Sequence, residues 1–314
     1  KDGGLVELPM CWLHTRKEWG TSNFDRLGSG DFARDTNPRC LECHNTWLEH
    51  VPGTSNQYRK ESLIPGVTCE VCHGPAAEHV SYHEAHPDVK EASAIVRPAT
   101  LSRDRKTDLC AYCHSNSLRH RGPAFSFRPG MTLDDAYRTL SPPHPEEDHV
   151  ANQTTYMKQS RCYQESDSMT CVTCHNPHVA PKSEGRGHGT SSCLDCHKQA
   201  DCHDQPNLPE AVRSDCVGCH MPKRTKIQVY FDTASDILYP PVPRWEHRIA
   251  VDLKARDEIL QQWYAGQTDA ASQEESKRLS ERLADVWEKD GDQLQAEHRY
   301  MAAAEGYRRS LLYR

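Results

Sequence analysis

The chain has 314 residues, of which 36% are hydrophobic, 7% are aromatic and only 5 are Phe, with a formal net charge of −7 and a mean hydropathy of −0.83. That composition is poor material for an ordinary core and would usually mean disorder. No basic run points to nucleic acid, and no apolar stretch approaches the roughly 20 residues of a membrane span.

In chain order, residues 1–39 carry Cys11, Trp12, His14 and Trp19, and Leu5-Val6-Glu7-Leu8-Pro9 predicts a short strand ended by its proline. Six C-x-x-C-H pentapeptides follow. They are Cys40-Leu41-Glu42-Cys43-His44, Cys69-Glu70-Val71-Cys72-His73, Cys110-Ala111-Tyr112-Cys113-His114, Cys171-Val172-Thr173-Cys174-His175, Cys193-Leu194-Asp195-Cys196-His197 and Cys216-Val217-Gly218-Cys219-His220. This is the attachment pattern of c-type haem. The two thiols add to the two vinyl groups of one porphyrin, and the next residue, a histidine, ligates the iron. Structural zinc also uses C-x-x-C pairs, but it does not require a histidine directly after each.

Six covalent haems change what this composition implies, because each macrocycle is a large apolar plate that stands in for core. The expected fold is mainly α with extensive loop, wrapped around its cofactors, and the 20 Pro and 17 Gly suit such a chain. In the long gap before the fourth motif, Leu133 to Leu140 predicts two helical turns. The last three motifs are so close in sequence that their haems must be neighbours. Residues 221–250 are a proline-rich connector with Pro222, Pro240, Pro241 and Pro243. Residues 251–314 lack Cys and Pro and show helical periodicity at Leu253, Ile259, Leu260, Trp263, Leu279, Leu283, Val286, Trp287, Tyr300, Ala303 and Tyr307. Gly291-Asp292 reads as the break between the last two helices. The expected organisation is a haem-free segment over 1–39, a hexahaem domain over 40–250 and a helical hairpin region over 251–314.

Nineteen histidines less the six proximal ones leave thirteen, whereas Met is scarce at 6. That excess predicts mostly bis-His irons, since a second histidine keeps the potential low relative to Met/His ligation. His178 follows the fourth motif after a stiffening Pro177. His79 and His83 lie four apart after Gly74-Pro75, on one face of an expected helix. His149 sits in the long gap, and His247 is the one histidine of the connector. His50 and His120 repeat the six-residue offset of His79 from a proximal histidine. Three cysteines lie outside the motifs, and on position Cys162 and Cys202 are the preferred disulfide, with two free thiols as the alternative; Cys11 is read as inert.

At Gly66-Val67-Thr68-Cys69 through His73-Gly74-Pro75 with His79, at Ser160-Arg161-Cys162-Tyr163 with Met169-Thr170-Cys171 and Cys174-His175-Asn176-Pro177-His178, at Asp215-Cys216 through His220-Met221-Pro222, and at His247-Arg248-Ile249, the chain resembles a known group. These are multihaem c-type cytochromes followed by tetratricopeptide repeats, related in haem packing to the tetrahaem cytochrome and the hydroxylamine oxidoreductase of ammonia oxidation. The resemblance implies distal-ligand roles for His79, His149, His178 and His247, and for His83. It also places cysteines at Cys162 and Cys202, and implies that the C-terminal region is tetratricopeptide-like, as Leu283 to Trp287, Ala296, Tyr300 and Ala303 suggest.

Haem c is attached outside the cytoplasm, and the chain opens at Lys1-Asp2-Gly3-Gly4. The expectation is a processed or partial chain working in the periplasm or outside the cell. The function expected is electron transfer through six closely spaced haems, with redox proteins or identical subunits as partners. An extracellular conducting filament is one form of this, with a histidine of one subunit ligating a haem of the next. The alternative is a multihaem oxidoreductase acting on a small nitrogen or sulfur compound at one open iron.

Overall fold

The computed structural model describes residues 4–14, 16–22, 34–115, 118–140, 152–179, 189–224, 233 and 244–314. The expected ligand His149 lies outside the described residues. The chain divides into two units: Lys1–Tyr156 with Ser166–Cys171 and Thr225–Val242, and Met157–Glu165 with Val172–Arg224 and Pro243–Arg314.

The first unit opens with an antiparallel pair, β1 (Met10–Leu13) and β2 (Glu18–Thr21), in which Trp12 faces Trp19. The strand expected over Leu5–Pro9 is not formed. Gly4 and Val6 make only single bridges, to Gln57 and Asp35, and pairing starts after the proline. Helix α1 (Pro38–His44) carries the first motif and has Pro38 in its first turn. Asn37 caps it, accepting from the backbone N–H of Arg39 at 3.0 Å and of Cys40 at 3.4 Å. The chain then turns extended into β3 (Asn45–His50), which pairs with β4 (Tyr58–Pro65).

Helix α2 (Cys69–His73) is the second motif and stops at Gly74, whose φ of +80° suits glycine. After Pro75 the chain forms α3 (Ala77–Ala85). Helix α4 (Arg103–His114) ends in the third motif. Two helical turns were expected over Leu133–Leu140, but only α5 (Leu133–Ala136) is helical, started by a Thr132/Asp135 capping box. Tyr137 instead begins β6 (Tyr137–Thr139), which pairs with β5 (Leu118–His120). The local apolar cluster is Ala111, Tyr112, Leu118, Phe127, Leu133, Ala136 and Tyr137. The chain passes from the first unit to the second within α6 (Gln153–Gln159).

In the second unit, α7 (Arg161–Gln164) is capped by Ser160, α8 (Thr190–Leu194) carries the start of the fifth motif, and α9 (Cys216–His220) is the sixth motif, capped by Asp215. A short ribbon, β7 (Lys223–Arg224) with β8 (Arg244–Trp245), leads to three longer helices. These are α10 (Leu253–Ala265), α11 (Ala270–Ala296) and α12 (Tyr300–Tyr313). The expected break at Gly291-Asp292 is absent, and α11 runs through both residues. Gly291 serves a helix crossing instead. A Cβ there would meet the Tyr307 ring at 2.8 Å, and one on Gly306 would meet Gly291 Cα at 3.0 Å. The turn comes at Glu297–Arg299, with His298 at φ +60°.

Candidate haem-binding sites

Four of the motifs lie wholly on helices, which puts cysteines at i and i+3 and histidine at i+4 on one side, and the fifth only begins on one. The fourth starts as a 3-10 turn, Cys171–Thr173. Tertiary structure then joins motifs that are distant in sequence. In the first unit the Cys43 thiol hydrogen-bonds that of Cys113, and Cys110 hydrogen-bonds Cys171. Cys72 lies close to both Cys110 and Cys113. The third motif therefore neighbours the first, the second and the first cysteine of the fourth. The Cys113 contact lowers the Cys43 pKa to about 7, while the same contact and burial push Cys113 up.

In the second unit Cys193 lies near Cys216, Cys174 and Cys162, and Cys174 lies near Cys196. Burial, with Asp215 and Cys202 nearby, raises Cys219 to about 11. The disulfide expected between Cys162 and Cys202 is not formed, and both thiols are free. Cys162 is near Cys174 and Cys193, and Cys202 is near Cys219.

The first motif is seated by a residue inside it. Glu42 is 1% exposed. Its Oε1 accepts from the Phe125 backbone N–H at 2.6 Å and the Tyr137 hydroxyl at 2.8 Å, and lies 2.9 Å from His120 Nε2. Arg39 completes the group, 3.1 Å from Glu42 Oε2, and also donates to the Tyr112 carbonyl on α4. Its guanidinium stands 5.2 Å from the ring centres of both Tyr112 and Tyr137. Burial pushes the Glu42 carboxyl up, but the bonds from His120 and Phe125 and the charges of His120 and Arg39 leave it lowered overall. Phe125 is held at φ +55°, an unusual conformation for a bulky residue, with its N–H committed to Glu42.

The histidines are held in a recurrent way. His73 Nδ1 donates to the Val96 carbonyl at 3.0 Å while the Val96 N–H donates back to the His73 carbonyl at 3.0 Å. His220 and Ala250 repeat this exchange, with both distances at 3.2 Å. His79 Nδ1 donates to the Ser93 carbonyl at 2.7 Å and His247 Nδ1 to the Trp245 carbonyl at 2.9 Å. His114 Nδ1 lies 3.2 Å from Gln153 Oε1. Fixing the ring through Nδ1 is how iron- and zinc-binding histidines are oriented and made better ligands. Val96, Ser93 and Ala250 act through backbone carbonyls, so no residue type could have marked them in the sequence.

Of the expected distal ligands, His79 and His83 share a face of α3 with ring centres 4.6 Å apart. His83 Nε2 is buried without a hydrogen-bond partner. His247 lies with its ring centre 6.2 Å from that of His175 and the planes 25° apart. His178 is exposed, its N–H bonded to Asn176 Oδ1 at 3.0 Å. Among the described residues no group of three or more His, Cys, Asp or Glu side chains converges on a metal-ion position, where structural zinc needs four ligands. The donors fit a haem held by two thiols and flanked by two imidazoles. The sequence missed Glu42 as a structural anchor; its signal, a carboxylate inside a motif, is too common to read.

The family model for cytochrome c554 and c-prime matches residues 14–74, which contain the first two motifs. The chain is 24% identical over 210 residues to the multihaem cytochrome MtrA of Shewanella baltica, covering 63% of this chain and 57% of the relative. It is 27% identical over 184 residues to the C-type polyhaem cytochrome OmcC of Geobacter sulfurreducens, covering 47% and 21%. It is 23% identical over 193 residues to the dissimilatory sulfite reductase MccA of Wolinella succinogenes, covering 54% and 24%. The chain thus spans little more than half of one of these relatives and about a quarter or less of the others. No solved structure matches it. With the motif geometry, these similarities support covalent attachment of c-type haem, as in a multihaem c-type cytochrome.

Proposed function

We propose that the protein conducts electrons through six covalent haems, each anchored by the two cysteines and the histidine of one motif and most of them bis-His. The observation that carries this reading is the thiol contact between motifs, Cys43 with Cys113 and Cys110 with Cys171. Cofactors built on touching thiols are neighbours. Bound haem supplies reversible one-electron chemistry, and the protein supplies spacing, water exclusion and tuning. The motif cysteines fix position, the Nδ1 bonds of His73, His79, His220 and His247 fix ligand orientation, and Glu42 with Arg39 clamps the first motif to the third. His247 is the distal partner of His175, and His79, His83, His149 and His178 are the other distal ligands. His149 and His178 rest on their sequence positions and on the family resemblance.

No helix among the described residues is long and apolar enough to cross a membrane. The site of action in this reading is the periplasm or the cell exterior, where haem attachment occurs. Partners are redox proteins or further copies of the chain, with filament assembly as the extended form, and the hairpin of α11 and α12 acts as a tetratricopeptide-like contact element. The test is the mass of the denatured holoprotein together with electron paramagnetic resonance. Six haems and mainly low-spin irons are expected, and His247→Ala should turn one iron high-spin. Four or fewer haems, or bound zinc, would overturn the reading. A second reading, reduction of a small sulfur or nitrogen compound at an open iron, is favoured only by the similarity to a protein named a sulfite reductase. A stable high-spin signal from two or more irons of the unaltered protein would select it.

A further inference from the structure

Four histidines sit six residues beyond a proximal one: His50, His79, His120 and the exposed His203. The structure separates them. His79 is fixed through Nδ1 by Ser93, and His120 has its Nε2 2.9 Å from Glu42 Oε1, inside the clamp. His50 differs from both, because its Nε2 is buried and has no hydrogen-bond partner. A buried polar nitrogen normally has one. The only other imidazole nitrogen in that condition among the described residues is that of His83, an expected iron ligand.

The surroundings of His50 point to one motif. It ends β3 and pairs with Tyr58, the first residue of β4, with ring centres 5.3 Å apart. Tyr58 is 3% exposed, and its hydroxyl donates to the Thr36 carbonyl at 2.7 Å. Thr36 directly precedes Asn37, the cap of α1, and Cys40 is close enough for its charge to act on the Tyr58 phenol. The imidazole with its buried Nε2, the tyrosine and the first cysteine thus form one neighbourhood at the start of the first motif. We propose that His50 is the distal iron ligand of the haem carried by Cys40 and Cys43, so that this haem needs no histidine from another subunit.

The inference rests on the covalent-haem reading, and its test keeps the two apart. His50→Ala holoprotein should retain six haems by mass while one iron turns from low-spin to high-spin, and added imidazole should restore it. His50→Met should keep that iron six-coordinate but raise the potential of one haem, since Met/His ligation is higher than bis-His. A His50→Ala protein with six haems and no spin change, in monomer and assembly alike, overturns the role of His50 and leaves the haem reading intact. So does a His50→Met protein with unchanged potentials. Fewer haems in the unaltered protein would strike the haem reading itself. If removing Cys40 and Cys43 together leaves the His50→Ala spin change in place, the ligand serves another motif and the assignment falls.

Discussion

The region around α1 and α4 and the hairpin of α11 and α12 are held together in opposite ways. The first is knit by a buried charge, with Glu42 gathering Arg39, His120, Tyr137 and the Phe125 N–H around itself. Its apolar cluster is small, and four of its seven buried members are tyrosine or alanine. The second is an ordinary helical interface, with Leu279 and Leu283 each 1% exposed and Ala303 2% exposed. It is closed by the glycine crossing of Gly291 and Gly306. Where two faces of the chain are destined for a porphyrin, polar pairing sets the geometry between motifs. Where no cofactor is involved, side-chain volume does it.

That contrast predicts different sensitivities. The largest effect is expected for Glu42→Ala, which leaves Arg39 and Tyr137 without their shared partner and should cost about 3–5 kcal/mol, the range for breaking a buried ion pair. Denaturant unfolding followed at the haem absorption would measure it. The same clamp should respond to acid. The folded Glu42 carboxyl is lowered, so its stabilisation is complete above the ordinary Glu value of about 4.3 and is lost as the pH falls through the lower folded value. Glu42→Gln should flatten that acid dependence, and an unchanged acid limb would contradict the clamp.

Leu283→Ala in α11 comes next, with a cavity cost of about 2–5 kcal/mol. It should lower helical stability by circular dichroism and leave the Soret band unaltered. Loss of a haem in this variant would mean that packing in the hairpin and haem binding are coupled rather than separate. Gly291→Ala should cost about 1–3 kcal/mol by overpacking. The Tyr307 ring it would strike is tethered through its hydroxyl to Asp292 and Gln295, at 2.9 and 2.7 Å. The double variant with Tyr307→Ala should recover part of the loss, and a double variant no better than the single one would argue against that contact. The smallest effect is expected at the start of α11. Asp269 accepts from the Ser272 N–H at 2.9 Å, and Asp269→Ala should lower the thermal unfolding midpoint slightly.

Local chemistry was legible in the chain because it is written in adjacent residues. The six motifs and the helical run from Leu253 onward depend on neighbours a few positions apart. Three local expectations failed where a distant contact outweighed a local preference. Tyr137 left a helical pattern to pair with β5 and reach Glu42. Gly291 continued a helix because α12 needed a close approach there. Leu5–Pro9 stayed out of a ladder because Gly4 and Val6 bridge different segments, at Gln57 and Asp35.

The sequence by itself therefore determined which residues can hold haem, since thiol and imidazole spacing within five residues is set by covalent geometry. Only the tertiary structure decided which motifs are neighbours and which histidines are committed elsewhere. Cys43 meets Cys113 across 70 residues of chain, because Glu42 and Arg39 tie α1 to α4. His50 and His120 share one sequence offset, yet a carboxylate takes one and the other's Nε2 is buried without a partner. The physical reason is that a hydrogen bond or a buried orphan nitrogen is a property of what the fold brings within about 3 Å, and that distance is not encoded by position along the chain.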